Sequence, residues 1–111
     1  AERGEQLGAA LADRLADHPH VGDIRGLGLL RAVELIADRE TRAPFPRAER
    51  VTERVLAAGK AAGVLIYPGT GCADGTNGDL LVLGPPLVIT PAQVERLAGL
   101  VAGAVREVLP G

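Results

Sequence analysis

Three stretches with a 3.6-residue apolar period, held apart by two pairs of short apolar runs, most constrain what this 111-residue chain can fold into. The last stretch is marked most sharply. Thr90 stands where a helix cap belongs, Pro91 takes the first helical position, and Gln93 can reach back to the Thr90 amide, which makes a capping box. Val94, Leu97, Val101, Ala104, Val105 and Val108 then form one apolar stripe, and Pro110-Gly111 ends it. The first stretch, residues 1–17, repeats Leu7, Leu11 and Leu15 at i, i+4 and i+8, with Glu2, Glu5, Asp13 and Arg14 for its outer face. Asp17-His18-Pro19 closes it, because the residue before a proline is pushed out of the helical region. The middle stretch runs from about Arg47 to Ala62 on Val51, Val55 and Leu56. Pro46 suits its first position, and Gly63 suits a left-handed C-terminal residue.

The runs between them have strand length. Val21-Gly22-Asp23-Ile24-Arg25 alternates apolar and polar, Gly26-Leu27-Gly28 interrupts, and Leu29 to Ile36 follows, which reads as two strands joined or bent at the glycines. Ala37 to Pro46 is a polar connection. Val64-Leu65-Ile66-Tyr67 and Leu80 to Leu83 make the second pair. Pro68 to Asp79 separates them, twelve residues with four glycines and the Asp-Gly and Asn-Gly turn pairs. Gly84-Pro85-Pro86 breaks the last strand, and Leu87-Val88-Ile89 leads to the final helix. The order α-β-β-α-β-β-α predicts an α+β domain, a small and mostly antiparallel sheet with helices packed on one face. The length fits a single domain, residues 1–111.

Charge and composition narrow the partners. Twelve basic and 14 acidic residues are interleaved, for a formal net charge of −2, and Phe45 and Tyr67 are the only aromatics apart from histidine. Neither a phosphate-neutralising stripe nor a stacking platform follows from that, which argues against nucleic acid. No apolar run approaches the roughly 20 residues of a membrane span. Cys72 has no second cysteine to pair with, in keeping with a reducing, cytoplasmic location. Ala1-Glu2-Arg3 reads as the interior of a helix without a cap, and the sequence contains no Met. The expectation is a C-terminal fragment of a longer enzyme.

Few residues suggest chemistry. Gly69-Thr70-Gly71 looks like a phosphate-cradling turn, but no Lys-Ser/Thr and no helix follow it. Asp74, Asn77 and Asp79 lack the alternating ligand spacing of a calcium loop. The loop 68–79 is therefore either a long hairpin connection or a substrate-facing loop. Gly26-Leu27-Gly28 lacks the third glycine of a dinucleotide turn and leads into a strand. His18 and His20 read as turn residues rather than metal ligands, and Cys72 as a loop thiol with no nearby His. Lys60 lies on the polar side of the middle helix, where nothing supplies the desolvated pocket of a Schiff-base lysine. Glu34 points to solvent or pairs with Arg25 or Arg31. No catalytic constellation emerges, and neither a catalytic residue nor a metal ligand is assigned.

Several segments, in order and at compatible spacing, resemble the C-terminal small domain of the class III (fold type I) pyridoxal-phosphate-dependent aminotransferases. They are Val21-Gly-Asp-Ile-Arg-Gly-Leu-Gly-Leu-Leu30, Val33-Glu34-Leu35, Asp38-Arg-Glu-Thr41 and Gly63-Val-Leu-Ile66. Asp74-Gly-Thr-Asn-Gly-Asp79 and Leu81-Val-Leu-Gly-Pro-Pro-Leu-Val-Ile-Thr90 complete the set. The resemblance implies a transaminase moving an amino group between an amine or amino acid and a keto acid, homodimeric, with pyridoxal phosphate carrying the chemistry. It also implies that the catalytic lysine and the cofactor contacts lie in a large domain of the same parent chain, outside this segment. The small domain would close over the active site and lend loop residues to the substrate pocket, for which Thr70, Gly71, Cys72 and Asp74 are the candidates. Members that grip a substrate carboxylate with Arg tend to place it three residues before the Gly-Asp or three before the Pro-Pro. Those positions are Gly75 and Val82 here. The alternative is a stand-alone α+β binding module that uses loop 68–79 as its contact surface.

Overall fold

The computed structural model describes residues 2–27, 30–64, 66–70, 77–83 and 90–110. The first helix, α1, spans Glu2–Leu15 and buries Leu7, Leu11 and Leu15 completely, as the i, i+4, i+8 spacing requires. Strands β1 (Val21–Leu27) and β2 (Leu30–Leu35) pair antiparallel with Leu27 opposite Leu30, so the glycine-containing segment joins two strands. A bulge between Val21 and Asp23 shifts the register at the start of β1.

The middle helix begins later than expected. Residues 47–49 form a single 3-10 turn, Arg50 adopts a left-handed conformation (φ 52°), and α2 runs from Val51 to Ala62. The sequence puts no Ser, Thr, Asp or Asn just ahead of this helix, so its first amides must find acceptors elsewhere. Gly63 closes it at φ 97°, with the Val64 amide returning to the Gly59 carbonyl, the expected left-handed ending.

The third strand also differs. β3 occupies Tyr67–Thr70, inside the segment read as loop, and not Val64–Tyr67. Val64 and Ile66 are buried under α2 instead, where a Cβ on Gly59 would stand 3.0 Å from Ile66 and 3.1 Å from Val64. Their apolarity serves the helix–sheet joint, and strand pairing starts only after it, with Tyr67 opposite Val82. β4 spans Asp79–Leu83, and α3 spans Pro91–Val108 behind the complete Thr90–Gln93 capping box.

The sheet order is β1-β2-β4-β3 with every neighbour antiparallel. Val33, Leu35, Leu81 and Leu83 point to one face and join Leu7, Leu11, Val55, Val94, Val101 and Val105 in a single core. The helices lie on that face, α3 packing against both α1 and α2. This is the expected α+β architecture.

Strand alternation settles the partner of Glu34. Arg31 and Glu34 stand on opposite faces because they are three residues apart in β2. Glu34 instead accepts from Arg25 at 3.0 Å, with Arg42 at 3.8 Å. Arg31 lies against α1, where a Cβ at Gly4 or Gly8 would come within 3.2 Å of its side chain.

Candidate functional site

The β3–β4 hairpin carries the loop that the sequence singles out. Thr70 sits opposite Asp79 at the last pair of the ladder, and Gly69 opposite Leu80. Of the four candidate pocket residues, the structure places only the Thr70 backbone, at the mouth of this hairpin. Gly71, Cys72 and Asp74 lie outside the described residues, as does Gly75. Val82 lies mid-strand in β4, on the face without helices.

The return arm of the hairpin does something that the spacing did not reveal. Asp79 is buried at 3% exposure, and its Oδ1 accepts from the Thr52 amide at 2.9 Å and from Thr52 Oγ1 at 2.5 Å. Thr52 is the second residue of α2, so a carboxylate from β4 caps a helix that has no cap of its own. Two residues earlier, Asn77 Oδ1 accepts the Arg47 amide at 2.8 Å. Gly78 between them has φ 122°, a conformation open to glycine and costly for other residues. The Asn-Gly-Asp sequence thus pins the 47–52 segment to the hairpin mouth. The signal available in the sequence was the missing cap before Val51, set against an unexplained Asp at a strand start.

The same corner holds a charge pair. Arg47 donates to Glu53 through both arms of its guanidinium, Nη1 reaching Oε1 at 2.9 Å and Nη2 reaching Oε2. These hydrogen bonds hold the Glu53 carboxyl far below the ordinary 4.5, at about 2. They also raise the Arg47 guanidinium. The pair is part-exposed, so it orders the surface of the corner more than it stabilises the fold.

The histidines are structural. His18 is buried, its Nδ1 accepts the His20 amide at 3.0 Å, and its Nε2 donates to the Leu109 carbonyl at 2.7 Å. His20 Nδ1 lies 3.0 Å from the Ile36 carbonyl, and its ring packs 5.3 Å from that of Phe45. A shallow cavity of about 250 Å³ opens between the end of α1 and β1, beside Ala12, Ala16 and Arg39. It lies at the sheet edge opposite the hairpin.

No family model matches the chain. Individual proteins do. An aminotransferase of Gibberella zeae is 40% identical over 105 residues, covering 94% of this chain and 20% of its own length. The adenosylmethionine-8-amino-7-oxononanoate aminotransferase of Nitratidesulfovibrio vulgaris is 44% identical over 93% of this chain and 17% of its own length. The chain is homologous to the aminotransferases. Among solved aminotransferase structures, one from the marine bacterium Virgibacillus superposes with a TM-score of 0.87 at 31% identity, over 97% of this chain and 24% of that one. An (S)-enantioselective omega-transaminase from Thermomicrobium roseum gives 0.84 at 32% identity, over 98% and 22%. The chain therefore spans about a fifth of the length of the aminotransferases it matches.

The described residues do not fit pyridoxal phosphate on their own. Lys60 is the only lysine and stands exposed on α2. At the start of α3 the Gln93 amide donates to Thr90 Oγ1 and the Thr90 amide to Gln93 Oε1, so the capping box takes up both amides.

Proposed function

We propose that residues 1–111 are the C-terminal small domain of a class III transaminase that moves an amino group between an amine or amino acid and a keto acid. The observation that supports this most is homology along nearly the whole chain, at about 40% identity, to a fifth of the length of aminotransferases. Pyridoxal phosphate, bound by the remaining four-fifths, supplies the electron sink. This domain supplies the hairpin mouth, whose return arm the Asn77–Asp79 clamp anchors, with Thr70, Gly71, Cys72 and Asp74 as the candidate substrate contacts. Neither Gly75 nor Val82 carries a guanidinium, so a bidentate grip on a substrate carboxylate does not come from those positions. The full-length enzyme is a cytoplasmic homodimer. Among the described residues no helix is long and apolar enough to cross a membrane.

The test is the complete reading frame. It should encode a large upstream region with a lysine that forms the internal cofactor adduct, and the purified product should transaminate in a donor–acceptor screen. A frame that begins at this segment, or a full-length product without transamination, overturns the reading.

A further inference from the structure

Asn77 is the only asparagine in the chain, and Gly78 follows it. An asparagine carboxamide is open to attack by the backbone nitrogen of the next residue, and a side chain on that residue is what ordinarily obstructs the approach. Glycine has none, and its backbone turns freely enough to close the ring. The sequence thus primes this pair for self-modification. The structure holds it back. Asn77 Oδ1 accepts the Arg47 amide at 2.8 Å, which fixes the carboxamide against the 47–49 turn. Gly78 is buried, with φ at 122°, so water and base reach its amide poorly. One residue on, Asp79 Oδ1 is tied to Thr52 by two hydrogen bonds, at 2.9 and 2.5 Å. These restraints all run to residues 47–52, so the reacting pair is held from across the corner rather than by its own strand.

We propose that Asn77-Gly78 is a deamidation site gated by this corner. It stays intact while the hairpin is clamped to the start of α2, and it reacts when the clamp opens. In the open state the Gly78 amide gives its proton to solvent base, and its nitrogen attacks Asn77 Cγ. A C–N bond forms there, the bond from Cγ to Nδ2 breaks, and ammonia leaves with a proton from solvent. Water then adds to one of the two carbonyls of the cyclic imide, and nothing is oxidised or reduced. Opening at Cγ leaves an aspartate at position 77. Opening at the main-chain carbonyl leaves an isoaspartate, whose main chain is one carbon longer. The longer chain displaces Asp79 from Thr52, so a corner that has reacted does not close again in the same register. The aspartate product puts a second carboxylate two residues from the buried Asp79, and like charges so close oppose one another. Both products are permanent marks of a local opening. The gate operates whatever reaction the parent enzyme catalyses.

The test follows position 77 by peptide mass spectrometry while the full-length enzyme is incubated at mildly alkaline pH. Exchange of ammonia for water is read as a gain in mass. Three samples are compared: the native enzyme, the same enzyme unfolded in urea, and native Thr52→Val. That substitution loosens the corner from α2 and leaves residues 77 and 78 as they are. The unfolded enzyme should react fastest, the native enzyme at least about tenfold more slowly, and Thr52→Val between them. No mass gain in the unfolded chain, or equal rates for native and unfolded enzyme, overturns the proposal. A Thr52→Val rate equal to the native one overturns it too, because the clamp then does not control the chemistry. If Thr52→Val fails to fold, hydrogen exchange of the Arg47 and Thr52 amides is measured in the unsubstituted enzyme across sub-denaturing urea. Exchange there and the mass gain at 77 should accelerate together, and divergence overturns the proposal.

Discussion

Asp79 caps α2 from across the hairpin, and the consequence is measurable. Removing it leaves the Thr52 amide and hydroxyl buried without their acceptor, so Asp79→Ala should lower stability by about 1–3 kcal/mol. Urea unfolding of Asp79→Ala, Thr52→Val and the double variant should give strongly non-additive losses; simple additivity would show that the two do not act together. His18 makes a second prediction, in pH. Burial lowers its pKa from 6.5, the Leu109 carbonyl opposes this, and Arg106 and His20 add to the lowering. The Arg39 guanidinium also faces this turn, donating to the His18 carbonyl. The unfolded chain therefore takes up the proton first. The His18 contribution is complete above 6.5 and falls away as pH drops from there through the folded-state value. His18→Gln should flatten the unfolding midpoint across that window. An unchanged pH profile would exclude His18 as its source. Glu53 behaves in the same direction at lower pH: its pairing with Arg47 is present above 4.5 and lost between there and about 2, a carbonyl-carbon NMR titration that Arg47→Ala should return toward 4.5.

At the scale of elements, Gly63 isolates backbone conformation from packing. A Cβ there meets nothing within 4 Å, yet φ is 97°. Gly63→Ala should thus cost about 1 kcal/mol in denaturant unfolding, purely from the left-handed backbone. This ending of α2 and the capping box of α3 were legible because a helix end is written in a few adjacent residues. The helix order and the antiparallel sheet were legible for the same reason: apolar period is local. The start of α2 was not, because the acceptors that hold it and the turn before it, Asp79 and Asn77, come from 27 and 30 residues away. β3 was misplaced because Val64 and Ile66 are apolar for the sake of α2, and strand propensity does not say which neighbour a side chain fills. Of the candidate site, the hairpin that carries the loop was readable, while the clamp that positions its mouth was not.

At the scale of the whole molecule, the proposed transamination needs a lysine placed for carbonyl chemistry. A lysine that forms a carbonyl adduct must be held out of water, close to groups that favour its neutral form. Lys60 meets neither condition. It is exposed in the last turn of α2, and the apolar side of that helix, with Val51, Val55 and Gly59, faces inward. If the parent is the proposed transaminase, Lys60→Arg in the full-length protein should leave the transamination rate and the cofactor's absorbance unchanged. Substitution of one lysine upstream should abolish both. The charge is kept in Lys60→Arg and the side chain is exposed, so a loss of activity would not be explained by misfolding. Stopped-flow half-reactions with an amine donor read the chemical step directly. A Lys60→Arg enzyme that folds, binds pyridoxal phosphate and no longer accepts an amino group would move the catalytic lysine into this domain and overturn its assignment as the accessory part.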